Sequence, residues 1–482
     1  MTGRAPHLVE VMKTLAFSGN RWKRTAGLAA AGLAFAVPLL VEFDGLSPAG
    51  HRTFSVFLLA IVLWVTEAIP LFATAALIIF LEIVMISDQA LVGLPDSFAA
   101  PAYGDFYGAL ANPVLMLFLG GFFLAEGAAK YRLDRNLARV LLRPFGDSPR
   151  LILLGLMLST AMFSMFMSNT ATTATLMAVI LPVIATLDPG DRLRVGLALS
   201  IPIAANVGGI GTPVGTPPNA IALGGLNDSG IDLSFLDWML MAVPVMLVLL
   251  LAAWYLLVRL FPAATDRVSI TIDATFDRSP QAYVFYATFA ITVALWLTEP
   301  LHGIKSTVVG FVPVVVLLAT RVFSSRDLQA IQWHILWLVA GGIALGTGVA
   351  ASGLDEWLVG LVGWDAIPAG LIAAVLALVA IAMSTVISNS AAANLLVPIG
   401  LSLTVSGVVD LDPIAAGFFI AIGASLAMAL PISTPPNAIA YSTGTLRTSD
   451  MIRAGLAVGA VGLLLFLIAA PLLWSAFGIG PA

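Results

Sequence analysis

The chain contains no cysteine, so disulfides, thiolate metal sites and thiol catalysis are excluded. Histidine is scarce as well: His7, His51, His302 and His334 are the four, too scattered for a metal cluster. Charged residues make up only 10% of the 482 positions against 60% hydrophobic, and the mean hydropathy is +1.01. A soluble fold cannot bury that much apolar surface, so the composition points to an all-α polytopic membrane protein. The net charge of −5 says little, because the placement of charge matters more here than its sum.

Apolar runs fill the rest. "NRWKRTAGLAAAGLAFAVPLLVEF" sets basic residues ahead of a run over 25–43, long enough to span a bilayer. No small-residue cleavage site with a soluble domain follows, so it reads as a retained first helix rather than a signal peptide. Further runs lie near 53–69, 70–86, 113–129, 238–260, 281–299, 305–320, 331–352 and 452–478. Four more are interrupted. The pieces 151–187 and 366–405 are too long for one span, and each is broken by a Ser-Asn motif. The pieces 193–225 and 413–443 each carry "TPPNAIA", identical at Thr216–Ala222 and Thr434–Ala440.

Non-helical backbone at membrane depth requires cover from protein or water, which suits re-entrant hairpins at 151–187 and 366–405 and proline-broken spanning helices at 193–225 and 413–443. Eleven transmembrane helices result, with the N-terminus cytoplasmic and the C-terminus extracytoplasmic in an inner or plasma membrane. This count places all but Arg52 and Lys305 of the 22 Lys and Arg residues on the cytoplasmic side. The halves echo each other: "LWVTEAIP" with "LWLTEP", "LGGFFLAEGAAKYRLD" with "AGGIALGTGVAASGLD", "SNTATTATLMAVILP" with "SNSAAANLLVP". Five crossings and one hairpin per copy make the repeat inverted. The expected organisation is a cytoplasmic N-terminus at 1–24, a first helix and loop at 25–52, repeat 1 at 53–260, a cytoplasmic linker at 261–280 and repeat 2 at 281–482. "KYRLDRNLARVLLR" aligns Leu133, Leu137, Val140 and Leu141 on one face of an interfacial helix, with an acidic counterpart at 353–364.

Inverted repeats with paired interrupted helices are the signature of a transporter with its site near the midplane. At Ser168-Asn169-Thr170 and Ser388-Asn389-Ser390 a hairpin arm begins, presenting unpaired N–H groups and a positive dipole end to an anion. Proline at Thr216-Pro217-Pro218-Asn219 and Thr434-Pro435-Pro436-Asn437 frees carbonyls from the helical ladder. Those carbonyls, with hydroxyls and the Asn amide oxygens, are hard donors suited to a small cation. No Lys or Arg lies near these motifs, so cations must supply the charge that balances a bound anion. Coupling follows from that dependence.

This arrangement resembles the divalent anion/sodium symporter family, the di- and tricarboxylate carriers, over nearly the whole chain after the first helix. The resemblance implies that Ser168, Asn169, Thr170, Ser388, Asn389 and Ser390 contact substrate, and that Thr216, Pro217, Thr434 and Pro435 line the pocket. It implies one sodium site from Ser164, Ser168, Asn169 and Gly215 and another from Ser384, Ser388, Asn389 and Ser433. The family pattern often has Thr where Ser390 stands, which leaves the hydroxyl and bears on substrate choice. Co-transported sodium, a small dianionic carboxylate such as succinate, elevator-type alternating access and a homodimer in the lipid bilayer complete what it implies. A sulfate or other oxyanion carrier, a tricarboxylate carrier and a sodium-independent dicarboxylate exchanger are the rival readings.

An intramembrane enzyme would need a nucleophile–base pair or a His/Asp/Glu cluster at depth, and no histidine falls in the repeated motifs. No catalytic residue and no nucleic-acid partner is expected. Glu67 and Glu299 read as residues that cap or pin helix ends rather than as a proton relay, and Glu126 as a helical partner of Lys130. The Gly pairs at 120–121 and 341–342 read as close-packing positions.

Overall fold

The computed structural model describes residues 21–268, 275–361 and 367–477. Residues 1–20 of the expected cytoplasmic N-terminus, 269–274 of the linker and 362–366 around the start of the second expected hairpin lie outside them, as do 478–482.

Every regular element among the described residues is helical. Several starts share one device, a polar cap followed by proline. Ser47, Asn112, Ser279 and Asp412 each accept a hydrogen bond from a first-turn N–H, and Pro48, Pro113, Pro280 and Pro413 follow them. Proline at the first helical position gives up an N–H that had no partner anyway. Among the described residues, eight helices are long and apolar enough to cross a membrane, including Pro48–Thr66, Phe235–Leu260, Trp333–Ser352 and Thr448–Ser475.

The interrupted pieces are interrupted where the motifs lie. Pro149–Ser164 and Asn169–Thr186 form one helical pair, Ala369–Val386 and Asn389–Val405 the other. Each pair is joined by a short turn ending in the Ser-Asn motif. Leu193–Gly209 gives way to an irregular stretch before Pro217–Asp228, and Pro413–Leu426 to another before Pro435–Ser442. Two successive prolines let a helix begin but not run through, because both ladder N–H groups are missing. The expected crossing at 305–320 is also divided, into Ser306–Val309 and Val312–Ala319, where Gly310 presses against Leu117 and Gly120.

The halves share a core. Trp238 stacks on Phe418 at 4.1 Å, and Trp474 meets Phe418 edge-on at 5.8 Å. The glycine pairs divide their labour. Gly120 lies against Gly310 and Gly341 against Ala75, while Gly121 faces Val214 of the first broken stretch and Gly342 faces Asn394 of the second hairpin.

Two expectations change. Lys130 pairs with Asp327 at 2.8 Å rather than with Glu126, because its amine also reaches the Val322 carbonyl at 2.8 Å. Leu133, Leu137 and Leu141 of the connector Leu133–Leu142 are half-buried against the core and Val140 is exposed, while Asp134, Asn136 and Ala138 are buried as well. The helix docks on the protein: Thr175 donates to Asp134 at 2.8 Å and Asn136 to the Thr275 carbonyl at 3.2 Å. Its counterpart is described only as Leu354–Gly360. Sequence reading also passed over Glu82, fully buried against Gly348 with no hydrogen-bond partner for either oxygen among the described residues. Glu67 ends Pro48–Thr66 in a left-handed conformation, and Glu299 opens the short helix Glu299–His302.

Candidate functional site

Each Ser-Asn motif builds a helix start. Ser168 and Ser388 take extended backbone and accept the N–H of Ala171 and Ala391, each at 3.2 Å. The following Asn is thereby the first helical residue, with its side chain turned back toward the preceding arm.

There it meets a fully buried serine. Ser164 Oγ donates to the Ala205 carbonyl at 2.8 Å. With the Asn169 amide nitrogen facing inward, that nitrogen donates to Ser164 Oγ at 2.5 Å and to the carbonyls of Gly215 at 3.1 Å and Ala205 at 3.2 Å. In the second half, the single proton of Ser384 Oγ is shared between Asn389 Oδ1 at 2.6 Å and the Ala424 carbonyl at 2.7 Å. Each half thus gathers a hydroxyl, an amide and main-chain carbonyls from two elements. In the second cluster oxygens outnumber protons, which suits a small hard cation, whereas in the first the Asn169 nitrogen serves the oxygens around it. Glycine makes the first approach possible, since a Cβ on Gly209 would come within 2.6 Å of the Asn169 side-chain amide.

The breaks are tied to the tips. Thr212 donates to the Met165 carbonyl in the first half. In the second, Ser433 donates to the Thr385 carbonyl at 3.2 Å and accepts the Leu430 N–H at 3.2 Å. The halves also touch each other, because Asn206 Nδ2 donates to Thr434 Oγ1 at 3.3 Å.

The asparagines of the proline motifs do something other than expected. Asn219 Nδ2 donates to the carbonyls of Gly209 and Thr212 at 2.9 and 2.8 Å, and Asn437 Nδ2 to those of Met428 and Leu430 at 2.8 and 2.9 Å. They use their nitrogens to hold the irregular stretch, because carbonyls freed inside a protein must find donors. They act as struts through their nitrogens, and Asn219 Oδ1 is buried without a hydrogen-bond partner among the described residues.

Among the predicted residues, Ser164, Asn169 and Gly215 converge, as do Ser384 and Asn389, with Ser433 one residue from the Ser384 turn through Thr385. Thr216 and Thr434 are buried at the starts of their half-helices. Ser168, Asn169, Pro217, Ser388, Asn389 and Ser390 are half-buried, and Thr170 and Pro435 are exposed, so the motifs are reachable from outside the core. Sequence reading missed Ala205 and Ala424, whose contribution is a main-chain oxygen that leaves no mark in side-chain identity. It also missed Asn206 and Gln332, whose Nε2 donates to Ser168 Oγ at 3.1 Å. Among the described residues, none of these motif hydrogen bonds involves Lys or Arg. Nor do the described residues hold a group of three or more His, Cys, Asp or Glu that could bind a metal.

Comparison with known proteins converges on one family. Residues 18–479 match the family model described as the sodium:sulfate symporter transmembrane region. An uncharacterized transporter of Haemophilus influenzae is 30% identical over 419 residues, covering 82% of this chain and 85% of its own. The sodium-dependent dicarboxylate transporter SdcS of Staphylococcus saprophyticus is 29% identical over 487 residues, covering 92% and 90%. SdcS of Staphylococcus aureus is 28% identical over 455 residues, covering 86% and 85%. The fold is similar to that of the crystallised YdaH transporter of Alcanivorax borkumensis, with a TM-score of 0.58 at 14% identity over 85% of this chain and 100% of that one. The chain belongs to the divalent anion/sodium symporter family and is an integral membrane transporter, not an enzyme.

Proposed function

We propose that this transporter is a sodium-coupled symporter of C4-dicarboxylates of the succinate type. The observation that carries the reading is the pair of repeat-related clusters, Ser164–Asn169–Ala205 and Ser384–Asn389–Ala424, beside helix starts that have no cationic side chain; with a cation bound, the Asn169 amide would turn its oxygen inward as Asn389 does. Each cluster would take one sodium. Each helix start, with Ser168, Asn169 and Thr170 on one side and Ser388, Asn389 and Ser390 on the other, would take one carboxylate. Thr216, Pro217, Thr434 and Pro435 would line the pocket, and Gly215 and Ser433 would complete the sodium sites. The SdcS relatives are named for sodium and dicarboxylate, which agrees with this assignment.

In this reading the chain crosses the membrane eleven times, with two re-entrant hairpins, an inverted repeat divided at the linker 261–280 and a cytoplasmic N-terminus. Two protomers associate through the helices outside the site. The hairpins and broken helices travel as one block, because the cation sites need oxygens from both and tolerate little displacement. Thr212 on the Met165 carbonyl and Ser433 on the Thr385 carbonyl support that unity. The block meets the scaffold helix Trp333–Ser352 near its Gln332 end, and a cavity of about 400 Å³ remains farther along, lined by Gly346, Asp355, Pro398 and Ser402 among others. With the charge-based orientation, the site lies at the cytoplasmic end of the scaffold helix, so this conformation is read as inward-facing.

The family model is described for sulfate, which keeps an oxyanion carrier as the second reading. Uptake of labelled succinate, citrate and sulfate into proteoliposomes, with and without an inward sodium gradient, separates them. Succinate uptake that needs the gradient is expected. Sulfate uptake in its place, or succinate exchange indifferent to sodium, would replace the proposal.

A further inference from the structure

We infer that Gln332, on the scaffold, is a positioning residue that commits the Ser168 hydroxyl to hydrogen-bond donation toward the bound anion. The inference rests on the proposed site and adds a residue that neither repeated motif contains.

One oxygen, Ser168 Oγ, decides the matter. A serine hydroxyl has two lone pairs that accept and one proton that donates. Ser168 Oγ receives the Ala171 N–H at 3.2 Å, which caps the arm Asn169–Thr186. It receives Gln332 Nε2 at 3.1 Å as well. Both lone pairs are then occupied, and the only capacity left is the O–H. A hydroxyl in that state can serve an acceptor such as a carboxylate oxygen, and it cannot ligate a cation.

Its counterpart differs. Among the described contacts, Ser388 Oγ receives only the Ala391 N–H at 3.2 Å, so one lone pair stays available. The two ends of the site, alike in sequence, are therefore unlike in this conformation. Ser388 can face either a cation or an anion. Ser168 is reserved for the anion, which leaves the first cation cluster to Ser164, Asn169 and the carbonyls of Ala205 and Gly215.

Gln332 is free for this task. It precedes Trp333–Ser352 at the cap position yet makes no side-chain cap to its own helix. It also belongs to a different element from the one it touches. If the hairpin moves along the scaffold, Ser168 leaves Gln332 behind and its second lone pair is released. The anion then meets a better donor on the side where Gln332 reaches the tip than on the other, and affinity differs between the two faces of the membrane.

The test uses full-length protein in proteoliposomes at pH 7.5, with labelled succinate as the probe and the two vesicle orientations assayed separately. Gln332→Glu is nearly isosteric but offers an acceptor, so it should draw the Ser168 proton away from the anion. It is expected to raise the succinate KM at least tenfold on the face where Gln332 meets Ser168, with less than a twofold change on the other. Gln332→Ala should raise it about threefold to tenfold on that face. The sodium concentration for half-maximal uptake and the melting temperature should stay within twofold and 2 °C of the parent. Gln332→Lys, a donor without an acceptor, should restore the parental KM or lower it. A Gln332→Glu protein with parental KM on both faces overturns the inference, as does a rise that is equal on both faces or accompanied by an equal loss of sodium affinity. Ser168→Ala is run in parallel. If it too has parental KM, the site assignment has failed; if it alone raises KM, only the role of Gln332 has.

Discussion

Gly342 and Asn394 are in direct contact across the line where the scaffold helix meets the second hairpin. A Cβ on Gly342 would overlap the Asn394 amide oxygen and stand 3.2 Å from the Asn394 Cβ, while Asn394 Nδ2 donates to the Leu338 carbonyl at 3.0 Å. The seam is fully buried, and Asn394 Oδ1 has no partner among the described residues. An unsatisfied amide costs about 1–3 kcal/mol, which fits a contact that forms in one conformation and separates in another.

That proximity is testable without background, because the chain has no native cysteine. Disulfides need Cβ atoms about 3.5–4.5 Å apart, a few tenths of an ångström wider than here. Gly342→Cys with Asn394→Cys should cross-link on mild oxidation. Succinate uptake should then fall at least tenfold and return on reduction, while each single variant is unaffected by oxidant. A fully cross-linked protein that transports at the reduced rate would mean that the seam does not move, and a local gate at the proline breaks becomes the better mechanism.

Asn169 ties tip, arm and broken helix together and Asn389 ties the second tip to its arm through Ser384, and alanine at either should leave the helices in place while removing the amide from the proposed cation cluster. Losing one hydrogen bond or ligand interaction with a charged group costs about 1.5–3 kcal/mol, or roughly tenfold to 150-fold in affinity. Asn169→Ala and Asn389→Ala should therefore be well folded and nearly inert at ordinary sodium. Ser164→Ala and Ser384→Ala should weaken sodium dependence by a similar factor. Near-normal uptake and sodium dependence in either asparagine variant would remove the basis of the assignment.

Much of this site is legible in the sequence because its logic is local. Ser-Asn at a helix start and Pro-Pro at a break state their backbone geometry in a few letters, and repetition shows that the two belong together. What escapes is contributed by groups without side-chain identity or by distant partners. The carbonyls of Ala205 and Ala424 are main-chain atoms. Asn206 meets Thr434, and Gln332 meets Ser168, only after the halves have packed. The strut role of the "TPPN" asparagines escapes for a related reason: an amide carries both a donor and an acceptor, and the surrounding carbonyls decide where the donor goes. Amphipathic spacing shows the packed face of the connector at Leu133, Leu137 and Leu141, but not the specific protein partners of Asp134 and Asn136.

Asp134 gives a pH-dependent consequence. Burial raises its carboxyl above the ordinary aspartate range, although the Thr175 hydroxyl, the Arg135 N–H and the Arg135 charge oppose the shift. A raised folded-state value means that the folded protein holds this proton more tightly than the unfolded chain. The resulting stabilisation is complete below the unfolded value, about pH 3.9, and is lost as pH rises through the folded value. Asp134→Asn keeps an acceptor for Thr175 and removes the titration. Its melting temperature relative to the parent should therefore rise between pH 4 and pH 7. A constant difference across that range would show that Asp134 titrates as it does in the unfolded chain.

Charge coupling gives the last prediction. The site offers no Lys or Arg to a dianion, so the compensating charge must arrive with the cations. In the proposed reading the two repeat-related clusters, around Ser164 with Asn169 and around Ser384 with Asn389, would hold two monovalent ions and give neutrality against succinate. The family resemblance implies a further sodium, which would make each inward cycle carry one net positive charge. Such a charge is worth about 2.3 kcal/mol per 100 mV, enough to raise the limiting accumulation ratio roughly 50-fold. Imposing a negative interior of that size with potassium and valinomycin should therefore accelerate succinate uptake and raise its plateau, while a positive interior should suppress both. The same vesicles without sodium should show neither response. If the potential leaves rate and plateau unchanged while sodium is still required, the two clusters hold all the coupled ions and transport is electroneutral. If sodium is not required either, the oxygen clusters serve the fold alone and exchange replaces symport.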